Sequence, residues 1–248
     1  PRTIKKLNNK KFHAILHISG QSSGEVSFEN PIYDLNSNTT STLLLLDYAL
    51  NTNCSKFIYA SSMSVYGEQR SKEQFSENDK LNPKSFYAVG KLASENYLKI
   101  YKEQFGINYT ILRYFNVYGP GQDLDNLKQG MVSIYLSYFL NSKFKKVLVK
   151  GSKDRFRDFC YIEDVVNITI QSIHDKRFNN EVINVGTGKK IKVHEVILEI
   201  QKNLSMNKSV VFRGSTLGDQ YGIYANANKI KLITKTKFIS FKSGLKKM

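Results

Sequence analysis

Acidic side chains are in short supply: 21 Asp and Glu stand against 37 Lys and Arg, leaving a formal charge of +16 over 248 residues. Such a balance favours anionic partners. The lysines are scattered, however, and the chain is also rich in Asn and Ile, so composition explains much of the charge. No nucleic-acid module is visible, and aromatics do not interleave with basic residues, which argues against nucleic acid as a partner. There are two cysteines, Cys54 and Cys160, far apart and without metal-ligand spacing. A disulfide scaffold is thereby excluded, and buried thiols of a cytoplasmic enzyme are expected. The four histidines, His13, His17, His174 and His194, form no ligand pair, so no metal site is expected. No apolar run approaches the length of a membrane span and no signal-peptide pattern opens the sequence, so no membrane partner is expected. What the chain does have is 41% hydrophobic residues with 15 Tyr and 15 Phe, the composition of a globular protein with a sizeable core.

Strand and helix signals alternate along it. Residues 12–18 are a near-continuous apolar run, as in a strand covered on both faces. Residues 39–50 read as a helix with a broad leucine face. Residues 56–61 form a second buried strand that opens into the serine segment 61–67. Residues 85–105 read as a long helix stopped by Gly106. Residues 109–115 and 182–185 are two further strands. Short strands alternating with longer helices predict a parallel α/β sheet. A loop around Gly119-Pro120-Gly121, a helix from about 131 to 140, and a loop over 214–224 complete the reading. The sequence opens at Pro1 in what reads as a helix over 3–8, with no strand and glycine-rich dinucleotide loop before it. An apolar strand at 12–18 would then have an open edge, so the expectation is a doubly wound sheet that is N-terminally incomplete.

The chemistry-bearing pattern is Tyr87-x-x-x-Lys91 following Ser61-Ser62-Met63-Ser64-Val65-Tyr66-Gly67. Residues four apart share one helix face. A free phenol has a pKa of about 10 and is a poor base at neutral pH. An ammonium about 4 Å away contributes on the order of 4 kcal/mol at an effective dielectric of about 20, an upper limit near three pKa units. That would bring Tyr87 into the range where it exchanges protons with a substrate hydroxyl, with Ser62 hydrogen-bonding the same oxygen. Tyr, Lys and Ser together point to alcohol–ketone chemistry.

In this setting six blocks, in order along essentially the whole chain, resemble the extended short-chain dehydrogenase/reductase family, in its NAD-dependent sugar-nucleotide epimerase/dehydratase branch. They are residues 17–22, 60–67, the Tyr87/Lys91 pair, 113–120 (Arg-Tyr-Phe-Asn-Val-Tyr-Gly-Pro), 157–165 (Arg-Asp-Phe-Cys-Tyr-Ile-Glu-Asp-Val) and 184–188 (Asn-Val-Gly-Thr-Gly). The resemblance implies a Rossmann-like fold with a smaller C-terminal substrate-binding α/β domain, residues 1–118 and 158–186 holding NAD and residues 119–157 and 187–248 holding the sugar nucleotide. It implies Ser62, Tyr87 and Lys91 as catalytic residues. It places Ile18, Ser19, Gly20, Gln21, Ser22, Ser37, Ser61, Tyr87, Lys91 and Phe115 at the cofactor. Ser62, Ser64, Asn116, Gln129, Gly130, Arg157 and Asp219 fall at the substrate, Asn116 and Arg157 on its diphosphate. The implied reaction is epimerisation, most closely at C4 of a UDP-hexose, with Tyr87 as base and then acid, in a cytoplasmic homodimer supplying polysaccharide precursors.

Departures from the family pattern narrow this. Dehydratases of the branch carry an Asp-Glu pair directly after the active hydroxyl, where Met63 and Ser64 stand here. Thr216 replaces an arginine usual before Gly218-Asp219, with Arg213 as a candidate substitute, and Ser22 stands where lysine is common. The N-terminal glycine loop and ribose-binding acid are absent. A nucleotide-sugar-binding protein without turnover, and a reductase or other epimerase on a related nucleotide sugar, stay open. Gly186-Thr187-Gly188 has the wrong spacing for a dinucleotide loop and reads as a tight turn. Asp158 and Asp164 read as structural, Tyr66 and Tyr118 as packing residues, and Arg155 as an exposed arginine.

Overall fold

The computed structural model describes residues 10–68, 73–218 and 220–248; the expected helix over 3–8 lies outside them. Four parallel strands, β1 (Ile15–His17), β2 (Lys56–Ser62), β3 (Asn108–Tyr114) and β4 (Glu181–Val185), form the main sheet in that order. The principal helices are α1 (Ser41–Asn51), α2 (Phe86–Phe105), α3 (Met131–Leu140), α4 (Ile162–His174), α5 (Val193–Leu204) and α6 (Asn228–Thr234).

β2 is buried along nearly its whole length because both faces of the sheet are covered. Successive side chains alternate: Phe57 and Tyr59 pack with Leu46 and Ala49 of α1 and Leu98 of α2, whereas Ile58 packs on the other face with Val165 and Ile168 of α4 and Ile230 of α6. Helices on both faces of a parallel sheet make it doubly wound, as expected. α2 begins where Ser85 accepts a hydrogen bond from the Ala88 N–H at 3.1 Å, and ends at Gly106 with φ +78°, a left-handed stop that favours glycine.

The second unit has its own core. Val132, Tyr135 and Phe139 of α3 and Val196, Ile197 and Ile200 of α5 enclose Val147 and Val149 of the strand Lys146–Lys150, which pairs in parallel with Ser209–Arg213. Phe241 and Leu245 pack there too, but Ala227 and Ile230 join the main-sheet core. The C-terminal stretch therefore returns to the main sheet before ending on the second unit, a correction to one unbroken unit over 187–248; its apolar residues at 227 and 230 are drawn to β4.

Other boundaries shift. β1 is confined to three residues of the 12–18 run, and α1 is preceded by a wide helical turn, Asn36–Thr40. Cys54 and Cys160 are both buried thiols. Among the described residues, no helix is long and apolar enough to cross a membrane.

Candidate active site

A cleft of about 480 Å³ lies at the carboxyl ends of β1, β2 and β3, between the sheet and the second unit, where ligands bind in open α/β sheets. Ser62, Ser64, Tyr87 and Lys91 all line it. Ser62 is the last residue of β2 and caps the following helical turn Met63–Tyr66, its Oγ accepting from the Ser64 N–H at 3.2 Å and from the Ser64 hydroxyl at 2.9 Å. Tyr87 lines the same wall beside Ser62, close enough for the serine hydroxyl to favour its ionised form. Lys91 is 4% exposed, and its Nζ donates to the Ala60 carbonyl at 2.9 Å while lying 5.6 Å from the centre of the Tyr87 ring.

The electrostatics correct one expectation. Desolvation pushes the Tyr87 phenol up to about 12, with Ser62 opposing and Asp34 adding to the rise. Desolvation also pulls the Lys91 ammonium down to about 8, against the pull of Asp34 and Glu95. The lysine that the spacing promised as an acidifying charge is itself disfavoured as a cation by burial. In this state Tyr87 keeps its proton at neutral pH.

Behind the cleft, α2 and β3 are joined by a buried ion pair. Glu95 receives Arg113 Nη2 at 2.7 Å and Nε at 2.9 Å, and both side chains are at most 2% exposed. Arg113 also donates to the Tyr66 hydroxyl at 3.0 Å, which in turn donates to Asn184 Oδ1 at 2.7 Å. Tyr66 is thus packed and hydrogen-bonded, and Tyr118 is packed among Phe159, Tyr161 and Phe241.

The segment 18–23 forms one wall. Ile18, Gly20, Gln21 and Ser22 line the cleft together with Phe115. Ser19 does not; its hydroxyl turns to His17 Nδ1 at 3.4 Å. Ser37 is also off the cleft, accepting from the Gln21 N–H at 2.6 Å, and so shapes the wall from behind. Ser61 lines the cleft, but its hydroxyl is occupied by Glu95 Oε1 at 2.5 Å. The Gln21 side chain points into the protein, donating to Asp34 Oδ1 and the Ser23 carbonyl, each at 2.7 Å.

On the opposite wall stand Asn116, Gln129, Gly130 and Arg157. Asn116 Oδ1 is buried with no hydrogen-bond partner, a defect that only a ligand group carrying a donor, such as a hydroxyl, would repair. Gln129 reaches across the cleft to donate to Ser22 Oγ. Gly130 has φ +82°, and a Cβ there would fall 2.4 Å from Ser133 Oγ and 2.9 Å from Gln122 Nε2. Arg157 is 3% exposed, and its fork is turned to backbone, Nη2 to the Gln220 carbonyl at 2.7 Å and Nη1 to those of Phe156 and Tyr221 at 2.7 and 3.2 Å. The bidentate fork expected to face a diphosphate is directed at carbonyls in this structure. Asp219 lies outside the described residues. Thr216 and Gly218 line the cleft, but Arg213 is exposed and does not, so it is no substitute for an arginine at 216.

Sequence reasoning missed Gln122, Lys150 and Arg155, which also line the cleft. Arg155 is 9% exposed, not solvent-facing, with Nη1 turned to the Lys150 carbonyl. Asp158 is fully buried and accepts from the N–H groups of Thr187, Gly188 and Ala225 at 2.8–3.1 Å, fixing the turn read from the glycines as a structural one. Asp164 sits in the first turn of α4 and accepts from Ile239 N–H at 2.8 Å.

A parallel sheet with this Ser-Tyr-Lys cleft defines a class, and comparison places the chain within it. Residues 1–186 match the model of the NAD dependent epimerase/dehydratase family. A Methanocaldococcus jannaschii protein provisionally named UDP-glucose 4-epimerase is 32% identical over 244 residues, spanning 98% of this chain and 78% of the relative. The structure of Thermotoga maritima UDP-glucose 4-epimerase with UDP-glucose superposes with a TM-score of 0.92 at 27% identity, over 99% of this chain and 79% of that one. That of the Thermus thermophilus UDP-glucose 4-epimerase complex with NAD gives 0.89 at 26% identity, over 98% and 78%. The chain belongs to the NAD-dependent epimerase/dehydratase family, a family of sugar-nucleotide enzymes.

Proposed function

We propose that this chain epimerises a nucleotide sugar, with a UDP-hexose as substrate and C4 as the reacting carbon. The observation that carries this reading is the convergence of Ser62, Tyr87 and Lys91 on one cleft, with Tyr87 and Lys91 one helical turn apart. NAD, when bound, supplies the acceptor and donor of hydride.

The residues present fit the nicotinamide-ribose end of that cofactor. Lys91 Nζ has one hydrogen-bond acceptor among the described residues, the Ala60 carbonyl, so further N–H donors are available to ribose hydroxyls. Ile18, Gly20, Gln21, Ser22 and Phe115 form the adjoining wall. As the phenolate, Tyr87 takes the proton of the reacting hydroxyl and later returns it, and Ser62 holds the same oxygen as it changes between alcohol and ketone. Lys91 stands 5.6 Å from the centre of the Tyr87 ring on the same helix face. Asn116 and Arg157 bind the diphosphate, Arg157 by turning from the carbonyls it holds without ligand. Gln129 and Gly130 flank the sugar, and Met63 and Ser64 leave no acid for dehydration.

In the same reading the protein works in the cytoplasm as a homodimer, in the supply of polysaccharide precursors. The test measures bound NAD and the interconversion of UDP-glucose and UDP-galactose, with Tyr87→Phe beside the parent. The variant is expected to lose about 100-fold or more in turnover, as acid–base groups do. Parent-like turnover in Tyr87→Phe overturns the mechanism; NAD bound with neither sugar converted overturns the substrate.

A further inference from the structure

We propose that the chain carries a second anion site, away from the Ser62–Tyr87–Lys91 cleft, that takes a ligand bearing a di- or triphosphate chain. The site is a cleft of about 420 Å³ formed where α6 and the segment after it cross the turn that follows β4. Four lysines line it from three places: Lys189 on that turn, Lys231 on α6, and Lys235 and Lys237 just beyond. No Asp or Glu is among the lining residues.

Several lysines close by in the sequence differ from these four. Neighbouring lysines are matched with acids: Lys190 with Glu73, Lys192 with Asp154, Lys229 with Glu181 and Lys247 with Glu163, at 2.6–3.3 Å. Among the described residues, Lys189, Lys231, Lys235 and Lys237 make no ion pair. A helix C-terminus favours nearby cations, which accounts for Lys231 and Lys235. It does not account for Lys189 or Lys237, which belong to other segments of the chain.

Converging like charges repel one another, and the repulsion grows where a concave wall of low dielectric focuses the field. A single carboxylate offsets one of the four charges. A di- or triphosphate supplies several negative charges over a few ångströms, with oxygens that each accept from an ammonium. Phe238, partly exposed at the cleft, adds an apolar edge against which a base can lie. The ligand chemistry is therefore an oligophosphate chain, supplied either alone or on a nucleotide.

The test is calorimetric titration of the protein, its main cleft first saturated with NAD and UDP-glucose, with tripolyphosphate at about 50 mM salt, where exposed charges still act beyond 10 Å. The expected result is one equivalent bound, weakened about tenfold or more in Lys231→Gln/Lys235→Gln and again in Lys189→Gln/Lys237→Gln, each removing two charge-assisted contacts. The four side chains are exposed, so the fold should survive, and thermal melting checks this. Lys150→Gln, on the main cleft, should leave the isotherm unchanged. Equal binding in parent and both double variants overturns the site, and loss of binding in Lys150→Gln moves the anion to the main cleft and overturns it too. ATP forms the second arm: tighter binding than tripolyphosphate, with the margin reduced in Phe238→Leu, identifies a nucleotide, and equal binding identifies the inorganic chain.

Discussion

Lys91 is held at a cost to folding, and Lys91→Met measures it. Burial lowers its ammonium from 10.5 to about 8. The unfolded chain therefore holds this proton up to the ordinary lysine range, and the native chain releases it sooner. Stability must rise with pH across the window from about 8 to 10.5, because the unfolded state binds more protons there. The side chain contributes about 3 kcal/mol of destabilisation at neutral pH. About 2 kcal/mol of that is relieved between pH 7 and about pH 9.5. Methionine keeps the length of the stem without the charge. Urea unfolding of parent and variant at both pH values gives the difference of differences, in which only groups coupled to Lys91, here His17 and Asp34, fail to cancel and the titration of the rest drops out. That includes the raised phenols of Tyr66 and Tyr114 and that of Tyr87, whose shift has no contribution from Lys91. The expected outcome is a parent that gains about 2 kcal/mol relative to the variant on going to the higher pH. Parallel pH profiles would refute the claim that Lys91 is a desolvated cation, and with it the account of why spacing overstated its effect on Tyr87.

Arg113→Met should destabilise the fold by about 3–5 kcal/mol in urea, because Glu95 is left buried without its ion pair; Arg113→Met with Glu95→Met should recover most of that loss. Gly67→Ala should cost more than about 2 kcal/mol or prevent folding, since φ is +62° and a Cβ would fall 1.7 Å from the Asn82 carbonyl oxygen; an unchanged melting temperature contradicts this. Ser61→Ala should lower turnover about tenfold with little change in KM, because it loosens the seating of α2 without altering a group that touches substrate. Ser61→Thr, which keeps the hydroxyl, should restore it, and equal turnover in all three proteins argues that Ser61 only fills space.

The parts of this molecule legible in sequence are those where local pattern and burial agree. β2 shows as an apolar run because both its faces are covered, and α2 shows because Ser85 and Gly106 mark its ends. Adjacent serines are harder. Ser61 and Ser62 read alike, but strand alternation sends one hydroxyl into the protein toward Glu95 and the other into the cleft. Ser37 carries the right chemistry at the wrong depth, one layer behind the wall. Arg155 sits in a polar stretch that reads as exposed, and its burial follows from a carbonyl at Lys150 and a turn at Gly151 with φ +93°. The Lys91 error is of another kind: spacing of four gives proximity, while desolvation depends on everything packed around the pair.

Three residues on α2 explain why the site forms at the end of β2. Glu95 takes the Ser61 hydroxyl, Lys91 takes the Ala60 carbonyl, and Tyr87 meets Ser62. They are four residues apart, about 6 Å of helix per step, and so lie on one face, which the sheet buries. The first two contacts fix both the height and the rotation of α2 against the strand. With these set, the residue one turn nearer the helix start is carried past the last buried position of β2, where the strand opens into the cleft. Tyr87 reaches the cleft because Lys91 and Glu95 leave α2 no other register. The Arg113 pair then matters for more than stability: it holds Glu95, Glu95 holds Ser61, and the phenol is placed by a chain of contacts that begins in the polar core behind it.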